Sequence, residues 1–247
     1  MSLVGDVGSF AATVIRLGRG LNAAAVTDDR RRAPERPLEL YDFEACPYCR
    51  RVREVLTELD LDYLARPVAH GSSRREELRR LGGKVQAPFL CDPNTDVELY
   101  ESADIMDYLN RTYGAGARAG WRVPVPGFVD VMGSAAATAV RWGRGATCRV
   151  TAPRDDARPL LLYNMEGSPY CRKVRETLCE LDLVHLVRNV PKGSPRRAEL
   201  RERGGKVQVP YLVDPNTQRE MYESDDIVAY LEREYGPARA ADARAAG

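Results

Sequence analysis

Two cysteines three positions apart, in the stretch Cys46-Pro47-Tyr48-Cys49, are the residues of this chain best suited to covalent chemistry. The thiolate, not the thiol, is the reactive form of cysteine, and facing the first turn of a helix draws its pKa below the ordinary ~8.5. Pro47 suits a first helical position, where unpaired backbone N–H groups would point at the Cys46 sulfur and Arg50 would add positive charge. Cys49, one turn on, is placed to attack a mixed disulfide at Cys46. Pro88 stands after a loop at the start of an apolar strand, where either a cis peptide or an ordinary trans loop proline fits. Glu101 and Ser102 stand where a helix begins. They read either as good capping or as a small pocket, in which backbone N–H groups hold a carboxylate and Glu101 holds an ammonium group.

The elements that must position these residues are legible from periodicity. Leu38, Leu40 and Tyr41 predict a strand, and Val52, Leu56 and Leu59 mark the buried face of the helix that Pro47 opens. Positions 62–68 read as a second strand, "SSRREELRR" as a short polar helix and "GGKVQ" as a loop. "APFLC" and "ELY" read as strands joined by a "DPNT" turn. Ser102 then caps a helix bearing Ile105, Tyr108 and Leu109, ended by Gly114. The order is βαβαββα.

That module is written twice. Positions 36–114 align without a gap on 158–236 at an offset of 122, with about 50 of 79 residues identical. The leader "GSFAATVIRLGRG" from Gly8 recurs as "GSAAATAVRWGRG" from Gly133, at an offset of 125. Apolar residues at Val7, Phe10, Ala11, Val14 and Ile15, and at Phe128, Val131, Met132, Ala135 and Ala136, predict two short amphipathic helices. Their small, Ala-rich stripes suit packing on a module or on each other better than a membrane surface. The division expected is a leader over 1–35, a module over 36–115, a linker with the second leader over 116–157, a module over 158–236 and a tail over 237–247.

The bulk numbers exclude several classes of function. With 37 basic and 36 acidic side chains the formal charge is +1, so no summed field favours nucleic acid or an anionic membrane. The Arg30 to Arg32 run reads as a solvated linker. No apolar stretch approaches the ~20 residues of a membrane span, and no signal-peptide pattern opens the chain. Six cysteines, two of them closely spaced, do not form a disulfide framework, and one CxxC with two histidines does not make a zinc site. A reducing compartment, cytoplasmic or equivalent, is expected, with no metal.

CPYC, the loop proline and the Glu-Ser pair, in this order and spacing, resemble the glutaredoxins and the thioredoxin-like N-terminal domain of glutathione S-transferases. The resemblance covers both modules and reaches neither leader. It implies two tandem α/β thioredoxin-like domains. It further implies Cys46 as nucleophile, Cys49 as resolving thiol, and a glutathione pocket built from Tyr48, Arg50, Ala87, Pro88, Glu101 and Ser102. Glutathione would be the co-substrate, and disulfide-containing or glutathionylated proteins the partners. An all-helical second domain of the transferases, needing roughly 100 further residues, is replaced here by another copy of the first.

The second copy places Ser168 where the nucleophile stands and keeps Tyr170, Val209, Pro210, Glu223 and Ser224. A hydroxyl cannot carry out thiol–disulfide exchange at neutral pH. Either Ser168 hydrogen-bonds the sulfur of bound glutathione, or the copy persists as a packing partner. Cys91, Cys171 and Cys179 read as structural, whereas Cys148 reads as exposed. The function expected is a glutathione-dependent thiol–disulfide oxidoreductase. The alternatives are a glutathione transferase or dehydroascorbate-reductase-like enzyme, and a non-catalytic scaffold.

Overall fold

The computed structural model describes residues 19–24, 33–114, 132–136, 143–150 and 158–237. The first leader helix expected over Val7 to Ile15, the Arg30 to Arg32 run, positions 115–131 and the tail beyond 237 lie outside the described residues. The first half runs β1 (Leu38–Asp42), α1 (Pro47–Glu58), β2 (Tyr63–Pro67), α2 (Arg75–Gly82), β3 (Phe89–Asp92), β4 (Val97–Leu99), α3 (Ser102–Tyr113). The second runs β5 (Leu160–Asn164), α4 (Pro169–Glu180), β6 (His185–Asn189), α5 (Arg197–Gly204), β7 (Tyr211–Asp214), β8 (Arg219–Met221), α6 (Ser224–Tyr235).

Strand alternation builds the layers. Leu38 and Leu40 of β1 pack with Val52 and Leu56 of α1 and Ile105 and Leu109 of α3. Tyr41 turns to the other face and meets Phe89 and Leu78 of α2. Helices therefore cover both faces of the sheet, as the thioredoxin-like reading requires.

The halves are fused at a strand edge. β2 pairs antiparallel with β6 in the register Tyr63↔Val187, Leu64↔Leu186, Ala65↔His185. One eight-stranded sheet results, ordered β4-β3-β1-β2-β6-β5-β7-β8. The pairing closes two edges that would otherwise present unpaired backbone groups. Because Leu64 and Leu186 are equivalent positions and face each other, an approximate two-fold axis passes between them. Val187 of the second half completes the core of the first.

The described parts of the leaders cross this seam. Leu21 and Ala23 of the first bond to Lys192 of the second half, and Ala24 bonds to Glu58 of the first. In the second leader, Ala146 and Cys148 bond to His70 of the first half and Arg149 to Glu180 of the second. Residues 132–136 form a short helical stretch.

Candidate active site

Cys46 lies at the N-cap of α1 in extended conformation, and Pro47 supplies the first turn. Its sulfur accepts a hydrogen bond from the Cys49 backbone N–H at 3.3 Å and stands 3.9 Å from the Ala87 carbonyl. The hydrogen bond from the Cys49 thiol lowers the Cys46 pKa most, against the opposing effect of burial. The backbone N–H groups of Cys49 and Tyr48 and the charge of Arg53 lower it further. Burial, then the hydrogen bond with Cys46, pushes the Cys49 thiol well up. The two thiols are thus pushed in opposite directions, Cys46 toward easier ionisation and Cys49 away from it.

The loop ahead of β3 closes the site. The Ala87–Pro88 and Val209–Pro210 peptides are both cis. Gln86 donates from Nε2 to Glu101 Oε1 at 2.8 Å, which brings this loop to the start of α3. Glu101 holds φ at +63 and its counterpart Glu223 at +66, a left-handed conformation uncommon for a non-glycine residue and often found at functional sites. Ser102 is not the cap that the sequence suggested: Glu101 occupies the N-cap, and it makes no side-chain capping bond. The positive φ turns the chain one residue earlier, and the Ser102 hydroxyl instead accepts from Arg51 Nη1 at 3.2 Å. Cys46, Ala87, Pro88, Glu101 and Ser102 are therefore linked into one neighbourhood through Gln86 and Arg51, which sequence reasoning missed. Tyr48 stands exposed beside it.

Arg50 is placed differently from the expectation. It is buried, and its guanidinium faces Glu44 and Glu166 at the seam, so the cation acting on Cys46 is Arg53. Arg53 reaches Asp42 Oδ2 at 2.6 Å, Glu44 Oε2 at 3.0 Å and, across the seam, Glu166 Oε2 at 3.1 Å. Arg175 mirrors it, with Glu44 Oε2 at 3.1 Å, Glu166 Oε2 at 3.0 Å and Asn164 Oδ1 at 2.6 Å. Arg53 also donates to the Phe43 carbonyl at 3.5 Å, which accepts the Cys46 N–H at 3.1 Å. The loop carrying Cys46 is thereby tied to the other half.

Asp42, Glu44 and Glu166 meet Arg53 and Arg175 here, with Arg50 and Arg172 buried close by, and burial tells most on Asp42. Burial, outweighing Arg53 and reinforced by Glu44 and Glu166, raises its pKa to about 6. Burial also opposes ionisation of Glu44, but Arg175 and Arg53 outweigh it and hold that carboxyl at about 2. The signal for this cluster was in the sequence: Glu44 and Arg53 recur as Glu166 and Arg175 at the repeat offset of 122.

Ser168 copies the backbone role of Cys46, accepting from Cys171 N at 3.3 Å at the N-cap of α4. Gln208 donates to Glu223 at 2.8 Å as Gln86 does to Glu101. Tyr170 stands exposed, Val209 and Pro210 lead into β7, and Ser224 is the first residue of α6. Burial raises Cys171, Cys179 and Cys91, the last to about 12. Cys148, read as exposed, is instead buried, with its thiol donating to the Val150 carbonyl at 2.9 Å, because the second leader folds against His70. Among the described residues no helix is long and apolar enough to cross a membrane, and no group of three or more His, Cys, Asp or Glu is placed to hold a metal ion.

A glutathione S-transferase-like protein, tpcF of Aspergillus fumigatus, is 34% identical over 82 residues, 33% of this chain and 36% of its own length. Glutaredoxin 3 of Escherichia coli K12 is 29% identical over 51 residues, 21% of this chain and 61% of its own. The chain thus spans about a third and three fifths of these relatives. Among solved structures, the Bombyx mori glutathione transferase BmGSTD1 matches 33% of this chain and 38% of its own at 26% identity, with a TM-score of 0.29. The trimeric Leishmania glutathione transferase TDR1 matches 81% of this chain and 67% of its own at 17% identity and the same TM-score of 0.29. The model of the glutathione S-transferase N-terminal domain matches twice, over residues 40–117 and 162–239, which together exceed half of the sequence. The chain belongs to the glutathione S-transferase N-terminal domain family, of which it carries two copies.

Proposed function

We propose that this protein is a glutathione-dependent thiol–disulfide oxidoreductase whose chemistry is confined to the first half. The observation that carries the reading is the split pair at the start of α1: Cys46 lowered by donated hydrogen bonds, Cys49 raised by burial. The Cys46 thiolate attacks the glutathione sulfur of a mixed disulfide, the old S–S bond breaks, and the partner leaves as a thiolate that takes a proton from water. A second glutathione, as thiolate, then attacks the Cys46-bound sulfur, which releases glutathione disulfide and restores the Cys46 thiolate. Cys49 offers the internal alternative, closing a Cys46–Cys49 disulfide that two glutathiones reduce. This chemistry belongs to a reducing compartment such as the cytoplasm.

Glutathione would lie with its cysteinyl backbone along Ala87 and Pro88, and its γ-glutamyl end at Glu101 and Ser102. Ser168, Glu223 and Ser224 would hold a second glutathione without reacting. The family match favours one further reading, a glutathione transferase or dehydroascorbate-reductase-like enzyme. A coupled assay with glutathione, glutathione reductase and a small disulfide separates them. Glutathione-dependent disulfide turnover supports exchange, conjugation of an electrophile without turnover supports the transferase, and silence in both leaves a scaffold.

A further inference from the structure

The second leader grips the site on either side of Cys46. Ser134, with 0% of its surface exposed, donates to the Pro47 carbonyl at 2.7 Å, one residue after Cys46. Gly145 presses on Glu44, two residues before it: a Cβ there would stand 2.7 Å from the Glu44 Cβ, at a φ of +74 that suits glycine. Ala146 and Cys148 then bracket His70 with backbone bonds of 2.8 and 2.7 Å. Between the gripped residues Cys46 itself is only 4% exposed. Met132, two residues before Ser134, is exposed, as is Tyr48, the neighbour of Pro47. The first leader repeats the grip on the second half, where a Cβ on Gly20 would stand 2.8 Å from the Glu166 Cβ.

Disulfide exchange needs the attacking sulfur, the attacked sulfur and the leaving sulfur brought into line, so access to Cys46 limits its partners. A sulfur on a slender, extended chain reaches it past the leader. A sulfur seated in a folded surface would bring that surface toward Pro47, whose carbonyl Ser134 holds.

We propose that the second leader is a wall of the first half's thiol site, selecting glutathione mixed disulfides in which the attacked sulfur is carried on the tripeptide over disulfides set within folded protein surfaces. This rests on the reading of Cys46 as the reacting thiol. In the step selected, Cys46 bonds to the glutathione sulfur, and the partner departs as a thiolate without entering the walled site.

The test uses the full chain and one chemistry in two sizes, N-ethylmaleimide and a maleimide carried on a long polyethylene glycol, with labelling at Cys46 read by peptide mass spectrometry. Ser134→Ala and Gly145→Val should each raise the bulky rate about fivefold and leave the small rate within about twofold, as expected when one contact holding a closed arrangement is lost. Leu200→Ala, in a buried cluster of the second half that includes no leader residue, is the control for simple destabilisation. A size preference that stays at the wild-type value in both leader variants, or shifts equally in the control, makes the leader a brace and overturns the proposal. Turnover with glutathione judges the underlying reading separately: a shifted preference without turnover keeps the wall and removes the exchange reaction.

Discussion

At the scale of single residues, the account rests on two cysteines in one helical turn with opposite tendencies. Cys46→Ser should reduce glutathione-dependent exchange to background, whereas Cys49→Ser should retain reduction of glutathione mixed disulfides, because free glutathione does the resolving. Steady-state rates of the two variants check this. Asp42 supplies a second test. Its pKa rises from 3.8 to about 6 on folding, so the folded protein holds a proton that the unfolded chain has already released. That contribution to stability is full below pH 3.8 and is lost as pH rises through about 6. Asp42→Asn, the residue that the second half carries as Asn164 with the same 2.6 Å bond to its arginine, should therefore stabilise the protein by about 2–3 kcal/mol at pH 7.5. The gain should vanish near pH 4, as urea unfolding at the two pH values will show.

At the scale of elements, the strand and helix order was readable because alternation in β1 and helical spacing in α1 are local properties that Leu38, Leu40, Val52 and Leu56 carry themselves. The start of α3 was misread by one residue, because nothing in the letters Tyr-Glu-Ser announces a left-handed Glu101; that conformation is imposed by the surrounding loop. The consequence is testable. Since Glu101 makes no side-chain capping bond, its carboxylate contributes little to the helix, and the exposed group that Gln86 holds has acceptor capacity left for a ligand. Glu101→Gln should raise the KM for glutathione about tenfold, the loss of one charged hydrogen bond, while the melting temperature moves by about 2 °C or less. A large fall in melting temperature with an unchanged KM would assign the residue to architecture.

At the scale of the whole molecule, the repeat was plain in the sequence but its assembly was not. An alignment of two copies says nothing of which edges meet, and β2 and β6 choose each other through contacts more than 100 residues apart in sequence, such as Leu64↔Leu186. The buried charges at the seam are part of that choice. Arg53 and Glu166 are each 1% exposed, and removing Glu166 takes one carboxylate from both Arg53 and Arg175 in a low-dielectric interior. Glu166→Ala should cost about 3–5 kcal/mol and, because the sheet and the cluster are shared, both halves should still unfold in one transition followed by circular dichroism. Two transitions would show that the halves are independent. The one-sulfur asymmetry between those halves is the centre of the functional account, and it is tested most directly by trapping the intermediate. The Cys49→Ser protein is incubated with glutathione disulfide, quenched in acid and mapped by peptide mass spectrometry. The account predicts a single glutathione adduct on Cys46 and none on Cys91, Cys148, Cys171 or Cys179; an adduct chiefly on one of those four, or a Cys46 left unmodified, would contradict it.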